Sequence, residues 1–596
     1  MVKVSDLIAE FLKEKEIEVV FGIIGSANSH IFDSISNLGY TKIINVHHEQ
    51  AGVMAMGAYW RASGKLSATI VTAGGGAANS ITGIVSNWAD SIPGIIISGN
   101  ESSFYIKEQE HLRMYGTQGF NIAKMVKDVT KYSHCLLDEN DIQNELEKCY
   151  KITNTGRKGP VLLDVPFDIQ AKQTPFRDWV KFIESDLPNL EHSDYIIEQI
   201  NNAKRPLILG GHGIKLSGAK KSFQSLIKKT NIPTTLSWSG IDLLNSNDSN
   251  FYGRFGLYGQ RAANFIVQNC DLLIVLGSRL ALPQTGYNFD EFVREGKIII
   301  IDIDTPQFPL DKVDKYFKVD CKNTIKSLLR KSEKINDINP EWSRYCKKMK
   351  MVYPWIGEEH KHNGKYLNSY QFMDSLSDHL KKEHVVVTDM GTALLSGHQS
   401  LKLNKDQTMF TSLGLGEMGY GVAGALGAAA ACPNQDILCL NCDGGIMMNL
   451  QELHTIIENG FNVKVVIFNN DGYLMIKHTQ KMLFKGNYAS VDKKTGIGLP
   501  NFSKVFPALG YDYFKLKDWD KTDSTLEQFL NHPTSAVLEV FMDPEQGFLP
   551  KVKGILKKDN SILAPPIEEM SPLVSREHLE KSMLVKLSEK SNQIQR

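Results

Sequence analysis

A pattern that occurs twice limits the architectures open to this chain. In Ile70–Gly76 (IVTAGGG) an apolar run ends in a glycine turn, a helical stretch follows, and a second apolar run, IIISGN, ends at Asn100. In Leu440–Gly445 (LNCDGG) the same order begins again, and VVIFNN closes it at Asn470. Gly74 to Asn100 and Gly444 to Asn470 are each 26 positions apart. Strand, glycine turn, helix and strand make a βαβ unit, which belongs in a parallel sheet covered on both faces. Such a unit near each end of a long chain fits two like domains flanking an unlike one.

The other apolar runs complete three blocks of α/β class, each read as a doubly wound parallel sheet. At 596 residues the chain is too long for one core. The first block, 1–175, carries predicted strands at Glu18–Gly22, Ala68–Thr72, Gly94–Ser98 and Val161–Val165. The second, 190–340, contains RPLILGG from Arg205, DLLIVLGS from Asp271 and KIIIIDID from Lys297. The third, 365–545, contains VVVTD from Val385, DILCL from Asp436, VKVVIFNN from Val463 and SAVLEVF from Ser535. A polar stretch from Gln170 to about Ser193 and a Lys-rich, helical one from about Asp320 to Lys365 read as linkers. Residues 546–596 read as a polar tail ending in a charged helix.

Lys+Arg and Asp+Glu each number 67, so no global field favours nucleic acid or an anionic membrane. An anionic ligand must then be held by local features. The longest apolar run, Val422–Cys432, is far shorter than the roughly 20 residues of a membrane span. Asp6 and Glu10 interrupt the apolar stretch that a signal peptide needs. The eight cysteines lack the repeated short spacings of a disulfide framework or zinc site. A cytoplasmic protein is expected.

The second copy of the repeated unit carries the chemistry. A strand delivers Asp443 to a glycine turn, and the next strand ends in Asn469-Asn470-Asp471-Gly472. Both ends belong at the carboxyl edge of a parallel sheet, where such folds bind ligands. Gly444 and Gly445 let main-chain N–H groups approach a diphosphate, and a helix expected from about Ile446 would turn its positive end the same way. Asp443 would repel that diphosphate unless a divalent cation lay between them. Asp443, the Asn470 amide oxygen and the Gly472 carbonyl supply hard oxygen ligands suited to Mg²⁺.

This segment resembles the thiamin-diphosphate-binding motif, which begins GDG and ends NN; here Cys442 takes the first glycine's place. The resemblance runs along most of the chain and is closest to the acetolactate synthase-like branch. It includes FGIIGSANSHIFDSI from Phe21, HEQAGVMAMGAYWRASGK from His48, GPVLLDVP from Gly159 and LGLGEMGYGVAGALGAA from Leu413. It implies a pyrimidine-binding domain, a central domain and a diphosphate-binding domain, with thiamin diphosphate and Mg²⁺ as cofactors. Glu49 then matches the acid that protonates the aminopyrimidine, whose imino form removes the reactive ring proton. Gly416 matches the main-chain contact to that ring, and Met418 the wedge that bends the cofactor. Gly391 and Thr392 match the diphosphate contact, and Met475 and Ile476 complete the cofactor-binding set. His47 and His48 read chiefly as structural.

The resemblance loosens where a second substrate would bind. After the asparagines, Lys477, His478 and Thr479 replace a stretch that ends in tryptophan in ordinary acetolactate synthases, and Phe120-Asn121 replaces Phe-Gln. Phe120, Asn121, Lys477 and His478 are therefore candidates for a wider, more polar acceptor pocket. GRFGLYG from Gly253 resembles the flavin-binding domain of this branch and makes FAD a candidate cofactor. However, Arg279-Leu280-Ala281-Leu282-Pro283 lacks the usual Asp pair. The implied partners are a 2-oxo acid, a carbonyl acceptor and further copies of the chain, as homodimer or homotetramer. The implied activity is decarboxylation of a 2-oxo acid with carboligation. Alternatives are transfer to a keto-sugar in surface polysaccharide synthesis, simple decarboxylation, or a non-catalytic cofactor-binding role.

Overall fold

The computed structural model describes residues 1–109, 111–180, 192–361, 364–404, 406–556 and 562–595. Strands β1 (Val19–Gly22), β2 (Lys42–Asn45), β3 (Ala68–Val71), β4 (Gly94–Asn100), β5 (Tyr132–Cys135) and β6 (Pro160–Pro166) form the first sheet. It is parallel throughout, in the order β2-β1-β3-β4-β6-β5. The central sheet contains β7 (Pro206–Gly210), β8 (Thr234–Leu236), β9 (Leu272–Leu276), β10 (Lys297–Asp302) and β11 (Lys315–Lys318), in the order β8-β7-β9-β10-β11. The third comprises β12 (Val385–Thr388), β13 (Thr408–Phe410), β14 (Ile437–Cys442), β15 (Val463–Asn469), β16 (Asp512–Leu516) and β17 (Ala536–Phe541). Its order is β13-β12-β14-β15-β17-β16. Counted from its own first strand, each outer sheet reads 2-1-3-4-6-5. The repeated sequence unit therefore occupies the same two neighbouring strands in both.

The apolar runs become strands because both faces of each sheet are covered. Every residue of β4 and β6 is buried, and so is every residue of β14. Side chains three apart on a strand point to opposite faces. Cys439 and Cys442, the one close cysteine pair, accordingly enter different cores, and none of the eight cysteines is in a disulfide. Three helices matter to the site: α1 (Glu49–Ser63), α2 (Thr392–Ser400) and α3 (Tyr420–Ala431). Helix α3 contains the longest apolar run, and its residues from Tyr420 to Ala429 are all buried. It packs on α1 so closely that a Cβ on Gly427 would stand 2.1 Å from the Ala55 carbonyl oxygen.

Three expectations change. The helix expected from Ile446 is only a 3₁₀ turn, Ile446–Met448, and the next α-helix starts at Glu452. Asn449 interrupts it, because its side chain is spent on the Gly419 carbonyl and the Gln50 amide. The Lys-rich stretch is no free linker: Trp342, Cys346 and Met349 join the central core, and the Trp342 indole donates to Pro206 O at 2.9 Å. The tail docks on the central domain, where the Gln268 amide and Arg294 both engage the buried Glu568. Of the first polar stretch, 181–191 lie outside the described residues. Among the described residues no helix is long and apolar enough to cross a membrane.

Candidate active site

The carboxyl edge of the third sheet brings Asp443, Asn470, Gly472, Gly391 and Thr392 together. Asp443 follows β14 and is fully buried. Its Oδ2 accepts the N–H of Asn470 at 2.9 Å and of Gly472 at 3.1 Å, and its Oδ1 accepts that of Gly444 at 2.7 Å. Burial pushes this carboxyl up to about 7, against the pull of those N–H groups. The Asn470 Nδ2 donates to Thr392 Oγ1 at 3.2 Å, while its Oδ1 is buried with no hydrogen-bond partner among the described residues. The cation reading requires such an atom: a hard oxygen, desolvated and unsatisfied, beside a buried carboxylate. No group of three or more His, Cys, Asp or Glu that could hold a metal ion occurs among the described residues. A cation here would draw on amide, main-chain and diphosphate oxygens.

The turn glycines answer to packing. A Cβ on Gly444 would stand 2.3 Å from the Tyr473 ring, and one on Gly445 2.0 Å from Asp389 Oδ2. Cys442 fits the position usually held by glycine because it tucks under the Gly391 turn. There its thiol donates to Met390 O at 3.3 Å and accepts Ala393 N–H at 3.5 Å. Gly391, at φ +87°, caps the start of α2, so Thr392 and the first turn of that helix lie at the site, with the Ala393 N–H already turned to Cys442. With only a 3₁₀ turn at Ile446, α2 is the α-helix that starts at this edge of the sheet.

Gly416 and Met418 lie on the loop before α3; Gly416 is exposed and Met418 half-buried. Sequence reasoning missed what anchors this loop. Asp389, just beyond β12, is fully buried and accepts the Gly419 N–H at 2.9 Å. Its carboxyl is likewise pushed up to about 7 by burial. The only available signal was a carboxylate ending an apolar strand.

Glu49 is the first residue of α1 and is buried, with Oε2 accepting Asn79 Nδ2 at 3.0 Å. It pairs there and not with the Asp443 group of its own chain. His48 caps α1 and the His47 N–H donates to Glu452 at 3.0 Å, so both serve structure. Helix α4 (Leu474–Leu483) carries the remaining candidates. Met475 is half-buried and Ile476 exposed. Lys477 is buried against Asp492 at 3.2 Å, and His478 meets Gln546 O at 2.8 Å. Asn121 caps the turn to Lys124, and Phe120 packs on the first core. Within one chain, the contacts given for Phe120 and Asn121 lie in the first domain and those for Lys477 and His478 in and just beyond the third.

Two like sheets thus flank an unlike domain, one presenting a buried glutamate at a helix start and the other an aspartate–asparagine pair. Three family descriptions match in that order. Residues 2–125 match "Thiamine pyrophosphate enzyme, N-terminal TPP binding domain", 194–328 its central domain, and 389–540 its C-terminal TPP binding domain. The chain is 28% identical to the acetolactate synthase isozyme 2 large subunit of Escherichia coli over 91% of its own length and 96% of the relative's. It is 29% identical to the isozyme 1 large subunit over 92% and 95%, and 27% to the Lactococcus lactis large subunit over 94% and 96%. The chain belongs to the thiamine pyrophosphate enzymes, in their acetolactate synthase-like branch.

Proposed function

We propose that this enzyme uses thiamin diphosphate and Mg²⁺ to decarboxylate a 2-oxo acid, pyruvate foremost, and to ligate the acyl-anion equivalent to an acceptor carbonyl. One observation carries the reading: the unsatisfied Asn470 Oδ1 beside the buried Asp443 carboxylate. Asp443, Asn470 and the Gly472 carbonyl would hold Mg²⁺, and Thr392 with the α2 N–H groups would take the diphosphate. The bound thiazolium ring supplies the electron sink for decarboxylation. Glu49 would hold a proton at the aminopyrimidine N1′, Gly416 would accept its amino group, and Met418 would orient the two rings.

Glu49 of one copy would face the Asp443–Asn470 site of another, as the family resemblance implies, so the active unit would be a homodimer or larger. Exposed Leu415, Met447, Met448 and Ile476 at the rim support that reading. A cytoplasmic location agrees with eight cysteines that form no disulfide. A cavity of about 1300 Å³ lies between the N-terminal and central domains, edged by Arg157 of the first and Arg279, Asp302 and Asp304 of the second. It exceeds the roughly 300–1,000 Å³ of ordinary small-ligand sites, so a dinucleotide such as FAD fits. Thr479, exposed on α4 where a tryptophan would close the acceptor side, favours a larger carbonyl acceptor, a keto-sugar included.

Incubation with pyruvate, thiamin diphosphate and Mg²⁺ tests the proposal. Acetolactate with CO₂ indicates ligation to a second 2-oxo acid, and slow CO₂ release accelerated by a keto-sugar indicates the larger acceptor. Acetaldehyde alone, or no turnover, sinks the carboligase reading.

A further inference from the structure

We infer that Asp90 is a positioning residue for the cofactor site, fixing from the N-terminal domain the loop that carries Gly416 and Met418. What the loop does rests on the proposed function; how it is held does not. Asp90 follows the helix Ile81–Ala89 and is buried. Its carboxylate accepts the main-chain N–H groups of Leu413 at 3.0 Å and Gly414 at 2.8 Å. It also pairs with Arg61 in the last turn of α1, and both side chains are nearly inaccessible. Contact is tight: a Cβ on Gly414 would stand 2.7 Å from Ala89 Cβ and 2.8 Å from its carbonyl oxygen.

One helical turn before Asp90, Ser86 Oγ donates to Ser412 Oγ at 3.0 Å, and Ser412 Oγ donates to Glu417 Oε2 at 2.7 Å. The N-terminal domain thus grips the loop at 412, 413 and 414, and Asp389 grips it at Gly419. Leu415 and Gly416 between these anchors are exposed. An exposed tip takes its position from its anchors, and a carboxylate accepting two N–H groups, as Asp90 does on one side and Asp389 on the other, is a strong one. Arg61 balances the Asp90 charge within that buried contact.

The experiment uses full-length protein. In Arg61→Met/Asp90→Leu no buried charge is left alone, so the fold is not burdened by an unpaired ion. Hydrogen exchange without cofactor reads the Leu413 and Gly414 amides, which should exchange at least about 10-fold faster than in wild type. With thiamin diphosphate and Mg²⁺ at saturation, kcat should fall about 10-fold with little change in donor KM, as orientation is lost. The near-ultraviolet circular-dichroism signal of the bound aminopyrimidine should weaken in parallel. Unchanged protection of the two amides overturns the clamp, whatever the cofactor does. Faster exchange with wild-type kcat and dichroism overturns the positioning role. Asp90→Glu keeps the charge and the Arg61 pair while moving the carboxylate by one methylene. It should lower kcat without lowering Tm, and wild-type kcat there would also count against the inference.

Discussion

A buried amide oxygen with no donor costs free energy until something satisfies it, and this makes Asn470 informative in two states. Without cofactor, Asn470→Ala removes an orphaned atom and one hydrogen bond to Thr392, so stability should change by no more than about 1 kcal/mol. With Mg²⁺ and thiamin diphosphate, the same change removes a ligand beside a buried charge, and retention should fall about 100-fold or more. Equilibrium dialysis and thermal unfolding of the same preparations check the pair of outcomes; equal retention would refute the ligand role. Asp389 gives a pH signature. Its folded value of about 7 lies above the ordinary 3.8, so the folded state holds the proton more tightly. That stabilisation is complete below the ordinary value and is lost as pH rises through 7. Cofactor-free wild type should therefore lose up to about 1.4 kcal/mol per pH unit from this group across that window. Denaturant midpoints at pH 5 to 8 should show a shallower decline for Asp389→Asn than for wild type.

Helix α4 and the segment after it show what an element does once its partners are known. Lys477 faces inward to Asp492, the Tyr473 N–H donates to Val491 O at 2.8 Å, and Gly472 lies against that same carbonyl. The pair therefore ties the segment around Asp492 to α4, beside Gly472 and Tyr473. Asp492→Asn and Lys477→Met should both speed proteolysis within 485–497 and weaken cofactor retention by a similar factor, on the order of 10-fold. If Lys477 instead contacts the acceptor, only its own substitution will raise the acceptor KM. Such contacts were not legible in the sequence, which marks Lys477 as polar but not which way it turns. The strand–glycine–helix–strand spacing was legible, because apolar periodicity and a turn are local facts; from it followed the two like sheets and the Asp443–Asn470 pair. The helix expected at Ile446 failed because Asn449 is captured by Gly419 and Gln50, partners distant in the chain. Asp90 and Asp389 escaped notice for the same reason: each acts on main-chain N–H groups that only tertiary packing brings near.

At the scale of the molecule, the placement of Glu49 decides how many copies make one site. The helix α1 that begins with Glu49 packs along α3 of the same chain, yet its carboxylate pairs with Asn79 and not with Asp443 or Asn470. If each site takes its glutamate from one copy and its aspartate–asparagine pair from another, two dead variants can repair each other. Glu49→Gln alone should lower kcat by about 10²–10⁴, as loss of a proton-holding group does, and Asp443→Ala alone should fail to retain cofactor. In a mixed dimer, one site inherits both defects and the other inherits neither. Random reassociation of equal amounts gives half mixed dimers, each with one intact site, so about a quarter of wild-type activity should return. Were both groups drawn from the same chain, every site in every mixture would carry one defect, and no activity would return. Mixing the variants under dissociating conditions, restoring the assembly and measuring CO₂ release from pyruvate separates a shared site from a private one without any further structural information.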